Sequence, residues 1–164
     1  MTEFKAAPAV ARIAEDLIGR HHPDLVGERI EYVFREKATK SKGREVWGTA
    51  RLIGGLNAFL ATDEDEQPYD GTVESFFVIE IAEDIWGEID STQRVALVDH
   101  ELCHCVIDFI EDDEGVETRK RKIKAHDVEE FRDVVRRHGL WRTDVELFSS
   151  VIESVATAEE PVEA

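Results

Sequence analysis

Residues 90–110 read DSTQRVALVDHELCHCVIDFI, and the way this stretch folds governs the rest of the chain. It contains neither proline nor glycine. Asp90 followed by Gln93 is the pattern of a capping box, in which each side chain satisfies a main-chain N–H of the other residue. The spacing predicts a helix of about 18 to 20 residues beginning there. At roughly 100° per residue, Val98, Leu102, Cys105 and Phe109 share one stripe, while His100 and His104 point nearly the opposite way. Leu97 and Ile107 flank the histidines. Both sides of the helix are therefore expected to be covered, and the helix to run through the middle of the domain.

His100, Glu101 and His104 form a His-Glu-x-x-His pattern. Two imidazoles one turn apart on a helix can hold one zinc ion, and the intervening carboxylate lies beside them as a general base. The pattern is short and recurs by chance; the alternative is a pair of ordinary partly buried or solvated imidazoles. A catalytic zinc site generally takes three protein ligands and leaves one position for water. The candidate for the third is His126, in KAHDVEEF (124–131). Asp127 and Glu130 have capping-box spacing, which predicts that His126 precedes a helix of about 11 residues reaching Arg137 and stopped by Gly139. Asp127, Glu129 and Glu130 compete with it as ligands, or serve only as first-turn carboxylates favoured by the helix dipole.

The stretches ARIAEDLIGRHHPDL (11–25), RIEYVFRE (29–36), VIEIAEDIW (78–86), QRVALVDHELCH (93–104) and HDVEEFRDVVRRHGLW (126–141) resemble the phage metallopeptidase family, small zincin-like proteins. The resemblance spans most of residues 10–145. It implies a zinc peptidase fold with His100 and His104 as ligands, Glu101 as base and His126 as third ligand.

A length of 164 residues with 42% hydrophobic content suits one domain with a real core, expected over residues 1–156. Residues 157–164 are acidic, carry Pro161 and are expected to be disordered. The net charge of −17 argues against a phosphate-backbone binder, which gathers Lys and Arg on one face. The one basic run, Arg119 to Lys122, follows acidic Glu111 to Glu114 across Gly115, as in a solvated hairpin or loop. No apolar run is long enough to span a membrane, and the first residues lack a secretory layout, so a cytoplasmic protein is expected. Cys103 and Cys105 are two positions apart on a helix and should not pair; buried reduced thiols are the expectation, with a thiolate ligand as the alternative.

Residues 8–20 form an amphipathic helix through Val10, Ile13, Leu17 and Ile18, ended by His21-His22-Pro23. These two histidines are ligand candidates, although such positions more commonly serve at the surface or as caps. Residues 29–36 and 46–53 read as strands separated by a polar turn at 37–44, and residues 73–81 as the strongest strand, by its β-branched and aromatic content. Residues 144–156 form a last amphipathic helix. The order suits an α+β, zincin-like fold: a small mixed sheet, an N-terminal helix and a central motif helix. An extended peptide substrate can then pair with a sheet edge beside the metal. Zinc would polarise the scissile carbonyl and acidify water while Glu101 moves the proton. Asp99, Asp108 and Asp127 are candidate acceptors for imidazole N–H groups, Asp108 having the best local spacing. Tyr32, Tyr69, His138 and the arginines are candidates for stabilising an oxyanion. Two rival functions are a noncatalytic zinc-stabilised protein-binding module and a phosphohydrolase built on the His126-Asp127 pair. Oligomeric state is not legible.

Overall fold

The computed structural model describes residues 1–159, which form an α+β fold with mixed sheets and several helices. The chain divides into two compact units, the first Met1–Lys124 and the second from Ala125 onward.

In the first unit, strand β1 (Phe4–Ala6) leads into helix α1 (Pro8–His21), followed by β2 (Ile30–Arg35) and a small hairpin of β3 (Thr39–Ser41) and β4 (Arg44–Val46). The 37–44 segment, expected as a turn alone, is thus mostly hairpin, its reversal made at Lys42 and Gly43, both with positive φ. Strand β5 (Gly48–Ile53), short helix α2 (Gly55–Leu60), strand β6 (Phe76–Ala82) and short helix α3 (Glu83–Glu88) follow. The main sheet has the order β1-β2-β6-β5, with β2 parallel to β6 and both outer strands antiparallel to their neighbours. Strand β6 is central because FFVIEIA can be buried on both faces.

One sheet face presents Phe77, Ile79 and Ile81 to α1 and to helix α4 (Ser91–His104). Val10, Ala14 and Leu17 of α1, spaced four and three residues apart, complete this core with Val98 and Leu102 of α4. The opposite face buries a polar cluster. Glu80 pairs with the Arg35 guanidinium, both nearly inaccessible, and with Arg51 at 3.1 Å; Arg35 also donates to the carbonyls of Lys37 at 2.7 Å and Val46 at 3.0 Å. These bonds tie β2, β5 and β6 together where an unpaired buried charge would be costly.

The capping box forms as expected: the Asp90 carboxylate accepts from the Gln93 N–H at 2.8 Å, and Gln93 returns a bond to the Asp90 N–H at 3.1 Å. The far end of the helix requires a correction. Helix α4 has 14 residues and stops at His104; Cys105–Glu111 is strand β7, paired antiparallel with β8 (Glu117–Ile123). The physical reason is that Val106, Ile107 and Ile110 are β-branched, Cys105 and Ile107 are buried on one side, and β8 supplies the hydrogen bonds that a longer helix would have made internally. Phe109, placed by helical spacing on the apolar stripe, is consequently exposed. The reversal between the strands is held by the Asp112 carboxylate, which accepts from Glu114 at 2.9 Å and Val116 at 2.8 Å. The basic run lies on β8: Arg119 and Arg121 bind the buried Glu28 carboxylate, and Lys122 reaches Asp108 at 2.5 Å.

In the second unit, helix α5 is Arg132–His138 and α6 is Thr143–Glu159. The capping box expected at Asp127 and Glu130 does not start a helix. Glu130 instead accepts from the Phe131 N–H at 2.8 Å and from the Trp141 indole at 3.2 Å, so the helix begins only at Arg132 and runs 7 residues. Residues 157–159 prolong α6, whereas residues 160–164 of the expected tail lie outside the described residues. No helix among the described residues is long and apolar enough to cross a membrane.

Candidate metal centre

Helix α4 places His100 and His104 one turn apart, with ring centroids 5.1 Å apart and planes at 79°. Each offers a ring nitrogen within 4.8 Å of the other's. His104 is fixed from the opposite side: its Nδ1 lies 2.6 Å from the carbonyl oxygen of Lys124. A carbonyl can only accept, so Nδ1 carries a proton, and in the neutral ring the lone pair is on Nε2. Lys124 is itself anchored, its N–H donating to the His104 carbonyl at 2.8 Å. The premature end of α4 makes this possible, because the strand pairing that begins at Cys105 and Ile123 brings Lys124 alongside the last helical residue. An imidazole held through Nδ1 by a main-chain carbonyl is the usual state of a metal-ligating histidine.

Glu101 lies between them in sequence but on the buried side, only 3% exposed. Burial pushes its carboxyl up to about 7, against the opposing pull of the His104 ring and of a hydrogen bond from the Ala50 main-chain N–H. That donor belongs to β5, an outer strand of the sheet. In an antiparallel pair, alternate residues bond to the neighbour. The bond from the Ala82 N–H to the Trp47 carbonyl sets the phase, so Gly48, Ala50 and Leu52 turn their main-chain groups away from β6. Glu101 occupies one of these outward donors.

Gly48 makes the fit sterically possible. A Cβ at that position would stand 2.6 Å from Glu101 Oε1, 2.9 Å from Cδ and 3.0 Å from Cγ. Neither Gly48 nor Lys124 was singled out by the sequence pattern. A glycine inside a strand is nonetheless a recognised sign of close approach by another group, whereas a main-chain carbonyl leaves no signal in residue type.

The remaining candidates sort by position. Asp99, expected as an acceptor for a metal-binding imidazole, lies 2.6 Å from Nε2 of His22 instead. Asp108 is on a strand rather than one turn beyond His104 and binds Lys122, so the spacing that favoured it no longer applies. Tyr32 is partly buried against the core, its hydroxyl pushed upward by burial and then by Cys105; Tyr69 is fully exposed. His138 ends α5, and His126 lies in the segment before that helix. No disulfide joins the cysteines; Cys105 is buried as expected, but Cys103 is exposed.

Among the described residues, two clusters of side chains have the chemistry and spacing to hold a metal ion, one built on His100 and His104, the other on His22, Asp99 and Cys103. For the first cluster, two neutral imidazoles, one with its tautomer fixed, are a donor set suited to zinc. The chain matches no curated protein and no solved structure. A family model described as "Putative phage metallopeptidase" matches residues 2–155, nearly the whole chain, and the chain belongs to that family.

Proposed function

We propose that this protein is a zinc-dependent metallopeptidase of zincin type, encoded by a phage or prophage and acting in the host cytoplasm, with His100, His104 and His126 as ligands and Glu101 as general base. The observation that carries this reading is that α4 sets the His100 and His104 rings one turn apart, 5.1 Å between centroids, with His104 held through its Nδ1–H by the Lys124 carbonyl. Support for His126 comes from chain continuity. Lys124 is bonded to His104, and a residue two positions further on has its Cα within about 7 Å of that of Lys124.

When bound, zinc supplies Lewis-acid polarisation of a peptide carbonyl and acidifies water. Glu101 accepts a proton from the attacking water and returns it to the leaving amine as the C–N bond breaks. Its reach is set by the Ala50 N–H and by the space left at Gly48. Outward main-chain groups of β5 that Glu101 does not occupy offer an extended peptide a ladder, placing the substrate along the edge nearest the base. Because Glu101 is almost fully buried, a noncatalytic zinc-stabilised protein-binding module is the second reading.

The test compares cells expressing the native chain with cells expressing Glu101→Gln, mapping new protein N-termini, and measures zinc in both purified proteins and in His126→Ala. New termini only with the native chain, equal zinc in Glu101→Gln and reduced zinc in His126→Ala are the expected results. Identical termini would overturn catalysis, and undiminished zinc in His126→Ala would overturn the third ligand.

A further inference from the structure

We propose that His22, Asp99 and Cys103 form a second site for a thiophilic divalent cation such as zinc, on a different side of α4 from the His100–His104 pair. The proposal does not rest on the peptidase reading.

Asp99 and Cys103 are one helical turn apart, as are His100 and His104, and the two pairs are offset by a single residue. The pairs therefore project from α4 about 100° apart, each able to grip an ion across one turn. The third donor comes from α1. His22 caps that helix, its N–H donating to the Ile18 carbonyl at 3.1 Å, and Pro23 restricts the backbone immediately after it. Its side chain is only 14% exposed, so the imidazole is held rather than waving in solvent.

The imidazole nitrogen, the carboxylate oxygen and the thiol sulfur all lie within 4.8 Å of one another. In a tetrahedral zinc site with bonds of about 2.0–2.3 Å, neighbouring ligand atoms stand roughly 3.3–3.8 Å apart. The His22 Nε2 to Asp99 Oδ1 distance is 2.6 Å. A proton bridges that pair, and a cation entering the site replaces it while the half-exposed carboxylate swings out by about 1 Å. The Cys103 thiol releases its proton to solvent at the same step, while the proton displaced from Nε2 is taken up at Nδ1 by exchange with solvent, so the imidazole stays neutral. A carboxylate and a thiolate then neutralise the two positive charges of the ion. Sulfur with imidazole selects zinc-like ions over calcium or magnesium. Exposure of Cys103 leaves an entry path and room for water as fourth ligand.

The test adds Co2+ alone to the reduced, metal-free full chain and records near-ultraviolet absorption, where a cobalt–thiolate bond has a charge-transfer band. The native chain should show the band. Cys103→Ser and His22→Ala should lose it, and His104→Ala should keep it. Titration should give the native chain one equivalent more than Cys103→Ser. Cys103 is exposed, so the serine variant should fold, and thermal melts of all three variants check this directly. A native chain with no band overturns the proposal, as does a band that survives His22→Ala in a folded protein.

Discussion

Gly48→Ala is the sharpest probe of the architecture around Glu101, because one methyl group is aimed at one carboxylate. The added carbon would meet Oε1 at 2.6 Å and Cδ at 2.9 Å, against ordinary contacts of about 3.5 Å or more between carbon atoms. The carboxylate must therefore retreat by about 0.6 to 1 Å. It cannot do so freely, since it is 3% exposed and its retreat stretches the bond from the Ala50 N–H. Overpacking of this kind costs roughly 1–3 kcal/mol, which in a protein of this size lowers the melting temperature by about 3 to 10 °C. A displacement near 1 Å in a catalytic group costs about 100-fold in rate, or roughly 2.7 kcal/mol of barrier. Zinc content should be unchanged, because His100 and His104 are untouched. Calorimetry, elemental analysis and cleavage of a substrate found by N-terminal mapping measure the three effects. Gly19→Ala is the control: nothing lies within 4 Å of a Cβ there, and alanine in a helix is neutral or stabilising. Gly48→Ala with native melting temperature and native turnover would refute the reasoning.

Two further outcomes are expected. Glu80→Ala strands the buried Arg35 guanidinium and should destabilise the fold by about 3–5 kcal/mol, whereas Arg51→Ala, which removes the half-exposed partner, should cost under about 1 kcal/mol; equal losses in urea melts would show that Arg35 does not depend on Glu80. In the metal-free protein the Glu101 carboxyl sits at about 7, above its ordinary 4.5, so the folded chain holds the proton more tightly than the unfolded one. Its stabilising contribution is full below pH 4.5 and is lost as pH rises towards 7, a change of about 3 kcal/mol. Glu101→Gln should not show that loss, and urea melts of the two proteins that run parallel from pH 4 to 8 would contradict the assignment.

Local spacing made several features legible in advance. The capping box at Asp90 and Gln93, the apolar faces of α1 and α4, the strand at Phe76–Ala82 and the one-turn separation of His100 and His104 all follow from periods of 3.6 or 2 and from side chains that reach their own backbone. Where the same reasoning failed, bonds that the helical spacing does not include decided the outcome. Nothing between His104 and Ile110 breaks a helix, yet β8 pairs with those residues and converts them to a strand. Glu130 has capping-box spacing from Asp127, yet the indole of Trp141 and the Phe131 N–H take its carboxylate.

The amino-acid sequence by itself determined the imidazole pair of His100 and His104, the Glu101 carboxylate between them in sequence and the helix that carries them, because residues one turn apart share a face whatever surrounds them. Tertiary structure alone decided which proton His104 keeps, through the Lys124 carbonyl, and how close Glu101 lies to β5, through the missing side chain of Gly48. It also brought His22 to Asp99 and Cys103, 77 and 81 positions away. Such contacts depend on strand register and helix packing between segments remote in sequence, and no local period encodes them.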